Sequence, residues 1–155
     1  MITLYKPPLD DMLFRKKLLA DAETMSYNNA YGGTISFPEQ NWESWHNKWV
    51  NPSNEKYFYR YLQTEDTKEF VGEVAYHYDE IREIVICDVI VLAKYRGRGF
   101  GSLGIKLLCE AAKSNNISEL HDDIAVDNPS VNLFLKNGFN VEYKTAEFVM
   151  VKKIL

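Results

Sequence analysis

The chain has 155 residues, a net charge of −4, 46% hydrophobic residues and 26% charged residues, so we expect one domain over residues 1–155. An acidic chain lacks the basic face of a nucleic-acid-binding protein, and no segment approaches the apolar length of a membrane span. Cys87 and Cys109 form no redox or metal motif and the N-terminus does not resemble a signal peptide, which together predict a cytoplasmic protein with reduced thiols.

The first third of the sequence predicts a strand and two helices. A short strand is expected at Ile2 to Tyr5, and the apolar spacing of residues 10–22 is typical of a helix. Residues 27–34 contain asparagines and two glycines, which indicates a loop. Ser36 stands where a capping box would begin a second helix, which is expected to reach Val50 with three tryptophans on one face.

The rest of the chain predicts a meander of strands followed by alternating helices and strands. Short polar turns separate strand-like segments at residues 57–63, 69–78 and 82–92, as in an antiparallel meander. The later elements are expected as a helix at 101–114, a strand at 120–126, a helix at 129–137, and strands at 139–143 and 147–154. The order β-α-α-β-β-β-α-β-α-β-β predicts an α/β (α+β) fold with a mixed, mostly antiparallel sheet.

A glycine-rich turn from Arg96 to Gly101 lies between a buried strand and the helix with the clearest amphipathic pattern. Glycines allow successive backbone N–H groups to converge on one anion, and the start of the helix adds partial positive charge there. The turn therefore predicts a diphosphate site. The spacing of a phosphate-binding loop is absent, and no βαβ unit surrounds the glycines as in a dinucleotide fold. A turn that binds no ligand is the alternative explanation.

With its surroundings, this turn resembles the phosphate signature of the GCN5-related N-acetyltransferase superfamily. Arg96, Gly99 and Gly101 match its pattern of Arg or Gln, two residues, Gly, one residue, then Gly or Ala. A second signature, from Asp127 to Phe139, follows one helix and one strand later. The resemblance implies that the protein is an N-acetyltransferase and that acetyl-CoA is its co-substrate.

The resemblance also implies where acetyl-CoA binds. Its pyrophosphate is expected on the amides of the turn, and its pantetheine arm along the preceding strand, beside a bulge that offers a backbone N–H to the acetyl carbonyl. Phe134 stands where the family commonly has a Tyr that protonates the departing thiolate, so the resemblance provides no general acid. The cofactor-binding residues implied are Val89, Ile90, Val91, Arg96, Gly97, Arg98, Gly99, Phe100, Gly101, Ser102, Asp127, Asn128, Ser130 and Phe134.

Two aspartates are the candidate catalytic residues. Asp88 interrupts an apolar run, where a carboxylate is costly unless it is paired or functional. It matches an Asp of polyamine acetyltransferases, although Cys87 stands where those enzymes have a Glu base. An ion pair is the alternative role for Asp88. Asp122 and Asp123 follow on another strand, and because neighbouring side chains point to opposite faces, only one is expected at the site, with Asp123 as the candidate. A solvated start of the strand is the alternative.

The expected acceptor is a primary amine, most simply that of a small cationic molecule. Protein N-terminal or lysine acetylation, and a non-catalytic acyl-CoA sensor, are the alternatives. An unrelated nucleotide-binding domain is a further one. The resemblance places the first helices beside the acceptor, so Tyr27, Tyr31 and Trp45 are expected to shape that site. No metal is expected, and a homodimer is common in the superfamily.

Overall fold

A computed structural model describes residues 1–155. Seven strands form one sheet in the order β1-β2-β3-β4-β5-β7-β6. They are β1 (Ile2–Tyr5), β2 (Tyr57–Thr64), β3 (Phe70–Asp79), β4 (Ile84–Val91), β5 (Glu119–Ala125), β6 (Asn140–Lys144) and β7 (Phe148–Ile154). Every neighbouring pair is antiparallel except β4 and β5, which are parallel. The predicted mixed and mostly antiparallel sheet is therefore confirmed.

Four α-helices and four short 3₁₀ helices connect the strands. The α-helices are α1 (Met12–Ala20), α2 (Trp42–Trp49), α3 (Phe100–Ser114) and α4 (Ser130–Lys136). The 3₁₀ helices are Leu9–Asp11, Thr24–Tyr31, Glu39–Asn41 and Ala93–Tyr95. The predicted order of strands and α-helices is confirmed. None of the helices has the length and hydrophobicity that crossing a bilayer requires.

Two local predictions in the first third of the chain are wrong. The segment predicted as a loop is largely the 3₁₀ helix Thr24–Tyr31, which ends at Gly32 with a φ of 104°. The predicted capping box does not form, because Pro38 precedes the 3₁₀ turn before α2 and no side chain caps either start. The chain thus enters α2 through a 3₁₀ turn, in which the Asn41 amide donates to the Pro38 carbonyl, and Ser36 does not cap the helix.

Each face of the sheet carries its own hydrophobic core. Because successive side chains of a strand point to opposite faces, Cys87, Val89 and Val91 pack beneath α3, while Ile90 packs on the side of α1 and α2. Asp88 alternates with Cys87 and Val89 and therefore shares the face of Ile90. The three tryptophans of α2 all pack against the second core, as predicted.

The parallel pair β4–β5 opens at its middle. The two strands pair only at Ile86 and His121, beyond which they diverge. On its other side β4 pairs with β3 in unbroken register, so the bulge expected at Val89 to Val91 is absent from this pairing. Divergence alone leaves the backbone groups of β4 that face β5 without a strand partner, and it opens the sheet where the candidate site lies.

Candidate active site

A cleft of about 680 Å³ occupies the gap between the diverging ends of β4 and β5. This volume is within the range of small-molecule sites. The beginnings of α3 and α4 form one wall, and the 3₁₀ helix Thr24–Tyr31 forms the other. Three aspartates lie at the base of the cleft, where the strands separate: Asp88, Asp122 and Asp123.

The glycine-rich turn presents free backbone amides to this cleft. Gly97 and Gly99 have φ values of 77° and 84°, which L-residues with a side chain rarely adopt. Gly99 precedes the first residue of α3, and no side chain caps the helix there. The amides from Gly97 to Ser102 donate to no acceptor in the protein. Converging amides at the positive end of a 15-residue helix are suited to an anion.

The two arginines of the turn have different surroundings. The Arg96 guanidinium donates to the carbonyl oxygens of Thr24 at 2.7 Å and Glu23 at 3.4 Å, and it lies 4.3 Å from the centroid of the Tyr27 ring. Arg96 therefore joins the two walls of the cleft. Arg98 is exposed, lies over the Tyr95 ring at 5.6 Å, and does not line the cleft.

The second signature meets the cleft at its first turn. Asp127 is exposed and lies outside the cleft, whereas Asn128 lines it. The Asn128 side chain accepts a hydrogen bond from the Ser130 amide at 2.9 Å, which fixes the start of α4. Phe134 is buried against Phe139, with ring centroids 5.0 Å apart, and lines the cleft on the α3 side.

Asp88 faces the cleft without a partner. It forms no hydrogen bond and no ion pair with any protein group, so the alternative of a structural ion pair is wrong. It is accessible to solvent from the cleft, yet the loss of hydration among its crowded neighbours raises its pKa to about 6. The negative charges of Glu73 and Asp123 add to this shift, and the positive charge of Arg15 opposes it.

Both aspartates of β5 line the cleft, although alternation had predicted that only one would reach the site. The cleft passes between β4 and β5 and is therefore open to both faces of the sheet. Asp123 accepts a hydrogen bond from Arg82 Nη1 at 3.2 Å. Asp122 is only 8% exposed and has no side-chain partner. Burial, followed by the negative charges of Asp88 and Asp123, raises the pKa of Asp122 well above its ordinary value.

Most of the predicted site residues thus converge on one cleft. Those that line it are Asp88, Asp123, Val89, Ile90, Val91, Arg96, Gly97, Gly99, Phe100, Gly101, Ser102, Asn128, Ser130 and Phe134. The structure does not bring Arg98 and Asp127 to it. Tyr27 and Tyr31 border the cleft, whereas Trp45 packs against Tyr59 in the core of α1 and α2.

Sequence reasoning left out two residues that line the cleft. Asp122 was set aside because of strand alternation, although the polar run on β5 was a usable signal. Thr24 lines the cleft, and its hydroxyl accepts a hydrogen bond from the Ala93 amide at 2.9 Å while it donates to Asp21. No sequence pattern indicated Thr24, since its partner lies 69 residues away.

Cys87 is not a reactive group of this site. It is free and buried, as predicted, and it points beneath α3 instead of lining the cleft. Burial is the largest cause that raises the pKa of its thiol well above the ordinary value, with Asp122 and Asp88 adding to it. A thiol held in its neutral form is neither a base nor a nucleophile.

The central parallel strands of the sheet diverge beside the start of a helix, and free amides and acidic groups line the gap. This arrangement is suited to an anionic ligand beside a polar reaction site. The model of the acetyltransferase (GNAT) family matches residues 19–139, and the chain belongs to this family. It is an N-acetyltransferase, and acetyl-CoA is its acetyl donor.

Solved structures share the fold at low sequence identity. Spermidine N-acetyltransferase from Vibrio cholerae, in complex with CoA and spermine, is 18% identical, with a TM-score of 0.76 over 99% of this chain and 95% of that chain. The YncA putative acetyltransferase from Salmonella typhimurium, with acetyl-CoA, is 16% identical, with a TM-score of 0.76 over 100% and 94%. The PaiA N-acetyltransferase from Thermoplasma acidophilum, in complex with coenzyme A, is 15% identical, with a TM-score of 0.69 over 100% and 99%. No curated protein matches the sequence.

Proposed function

We propose that this enzyme transfers the acetyl group of acetyl-CoA to a primary amine of a small cationic molecule. One observation carries the proposal: Asp88, Asp122 and Asp123 meet at the base of the cleft, and only Asp123 has a cationic partner. A bound ammonium group would offset the negative charge of Asp88, since a charge removed from water is stabilised by an opposite one. The Vibrio cholerae neighbour, solved with spermine, is consistent with a cationic acceptor.

In this proposal the turn binds the pyrophosphate and the diverging strands separate the two substrates. The amides of Gly97 to Ser102 hold the anion, and the free backbone groups of β4 orient the thioester. Holding two reactants in a fixed orientation supplies much of the rate enhancement of such transfers. Asp88 accepts the proton of the attacking amine, for which a carboxylate with a pKa of about 6 is well matched to neutral pH.

The substrate class is tested with a panel of acceptors and acetyl-CoA, with free thiol release as the readout. The panel contains diamines and polyamines, neutral and acidic amino acids, and peptides with a free N-terminus or lysine. We expect small di- and polyamines to give the highest kcat/KM. A preference for peptides would indicate protein acetylation instead, and the absence of thiol release with every amine would contradict the proposal.

The role of Asp88 is tested by Asp88→Asn. The amide retains the shape of the side chain but accepts no proton, so we expect kcat to fall about 100-fold, the lower range for general base catalysis. Acetyl-CoA affinity, measured by calorimetry, should be unchanged. Asp10→Asn is the matched control, because Asp10 is an exposed aspartate outside the cleft. A kcat equal to that of the unmodified enzyme would show that Asp88 is structural.

The placement of the cofactor is tested by Gly99→Val. Since a β-branched residue is strained at a φ of 84°, the turn should deform and acetyl-CoA affinity should be lost. Gly32→Ala is the control, because Gly32 has a similar φ of 104° in open space outside the turn. It should lower the melting temperature without weakening acetyl-CoA binding. Retained affinity in Gly99→Val would overturn the assignment of the turn.

A further inference from the structure

Acetyl transfer from a thioester to an amine moves two protons. The attacking nitrogen must lose one, and the departing sulfur must gain one. Asp88 receives the first proton in the function proposed above, on which this inference rests. The donor of the second is not evident, because Phe134, which lines the cleft on the α3 side, has no hydroxyl.

Asp122 is the carboxyl group that faces the cleft on the same side as Phe134. It alternates along β5 with Leu120 and Ile124, and these two belong with Phe134 to the core beneath α3. The Asp122 side chain is more than nine-tenths buried, lines the cleft and has no hydrogen bond or ion pair with another side chain. Ser102, the hydroxyl at the start of α3, instead accepts a hydrogen bond from Asn137 Nδ2 at 3.1 Å.

We propose that Asp122 protonates the departing sulfur, so that Asp88 and Asp122 act as an acid–base pair on the two sides of the reacting bond. The amine nitrogen bonds to the carbonyl carbon, and the C–S bond breaks with its electron pair on sulfur. The amine proton passes to the Asp88 carboxylate, and the Asp122 carboxyl proton passes to the sulfur. Proton transfer from Asp88 to Asp122, directly or through water, restores the pair.

The charges around the two aspartates favour this division of roles. Asp122 faces Asp88 and Cys87 of β4, Asp123 of its own strand, and the more distant Arg82. Burial among mostly negative neighbours keeps Asp122 in its acid form. Asp88 is accessible from the cleft and has the positive charge of Arg15 nearby, so it ionises more readily. Two carboxyl groups with different environments are a usual source of acid and base roles.

The first test is Asp122→Asn, with kcat and acetyl-CoA affinity measured separately. We expect kcat to fall about 100-fold, as for loss of a general acid, with the affinity and melting temperature not reduced. Adding Phe134→Tyr to Asp122→Asn offers a hydroxyl on the same side of the cleft and should recover about tenfold of that loss. An unchanged kcat, or a loss that accompanies weaker binding and a lower melting temperature, would overturn the proposal.

The second test needs no acceptor amine. The thiol of bound CoA is titrated by the ultraviolet absorbance of its thiolate, in the unmodified protein and in Asp122→Asn. If Asp122 gives its proton to the sulfur, Asp122 ionises first, and its negative charge raises the pKa of the bound thiol by about one unit relative to the variant. Identical thiol pKa values would contradict the assignment. Because this measurement involves no acetyl transfer, it decides the role of Asp122 even if no amine in the panel is acetylated.

Discussion

Glu73 and Asp122 both carry buried carboxyl groups, but only Glu73 has compensating side-chain partners. Glu73, on β3, accepts a hydrogen bond from the Tyr59 hydroxyl and lies 3.7 Å from Arg15 Nε. Asp122 has no ion pair and no hydrogen bond to another side chain; only the backbone amide of Asp123 acts against its raised pKa as a hydrogen-bond donor. Burial raises the pKa of both carboxyl groups, while Arg15 and Tyr59 offset part of the effect at Glu73.

The cation beside Glu73 is itself enclosed. The Arg15 guanidinium lies 4.0 Å from the ring centroid of Trp45 and 4.5 Å from that of Phe37, so it stacks on aromatic faces while it pairs with the carboxylate. The surroundings of Glu73 therefore resemble a cation-binding site in which the bound cation is the side chain of Arg15. At the base of the cleft, neither Asp88 nor Asp122 has such a cation from the chain. The comparison distinguishes a carboxyl group with structural partners, Glu73, from the cleft aspartates, whose burial lowers the stability of the fold.

Removing the internal cation should have the largest effect on stability. Arg15→Met leaves Glu73 buried without its counter-charge, and such a loss typically costs about 3–5 kcal/mol. Urea denaturation at pH 7.5 measures it. The double variant Arg15→Met/Glu73→Gln removes the stranded charge as well and should recover most of the stability. A single variant with unchanged stability would show that the pair is not structural.

At the cleft, the expected effect is on activity and depends on pH. The proposed base, Asp88, must be ionised to accept a proton, so log kcat should rise with pH up to the pKa of about 6 and rise less steeply above it. The slope of log kcat against pH should be greater below about pH 6 than above it by about one, which corresponds to a tenfold change in kcat per pH unit. Rates at saturating amine between pH 5 and 8 measure this change of slope. It should disappear in Asp88→Asn, and a change of slope that persists there would assign it to another group.

The uncompensated carboxylates should also lower stability at neutral pH. Folding raises the pKa values of Asp88 and Asp122, so their protonated forms stabilise the native state. This contribution to the free energy of unfolding is complete below about pH 4, the unfolded pKa, and is lost as pH rises through the folded pKa. Asp88→Asn and Asp122→Asn should therefore melt at higher temperatures than the unmodified enzyme at pH 8, with a smaller difference at pH 4. Asp122→Asn should gain more, since Asp88 is accessible to solvent. A gain that does not depend on pH would point to a cause other than charge.

The sequence contained enough information to predict the sheet and the turn. Alternating apolar residues separated by short polar turns identify the meander of β2, β3 and β4, and the glycines identify the turn before α3, where we propose the anion site. These features depend on neighbours in the sequence, where steric rules for glycine and the periodicity of strands are reliable guides.

Contacts between distant segments could not be predicted in this way. Arg15 and Glu73 meet across the core of α1 and α2, and Arg96 donates to Thr24, which is 72 residues away. Arg96 was expected to contact phosphate, yet local pattern gave no indication that it also joins the walls of the cleft. Asp122 was missed for another reason: strand alternation was applied correctly, but the divergence of β4 from β5 opens the cleft to both faces.

The smallest effect is expected at the exposed ion pair between Arg82 and Asp123, which are 37% and 33% exposed. Arg82→Gln should change the free energy of unfolding by less than about 1 kcal/mol, because water screens exposed pairs. Asp122 acts as the proposed acid only when protonated, so its ionisation should give the kcat profile an alkaline limb. The positive charge of Arg82 lowers the pKa of Asp122, so removing Arg82 should move that limb to higher pH. Lys56→Gln is the matched control, since it removes another exposed pair, with Glu80 at 2.6 Å, outside the cleft. Lys56→Gln should change the free energy of unfolding as little and leave the pH dependence of kcat unchanged. An equal shift of the alkaline limb in both variants would mean that the limb depends on the overall charge of the protein and not on the ionisation of Asp122.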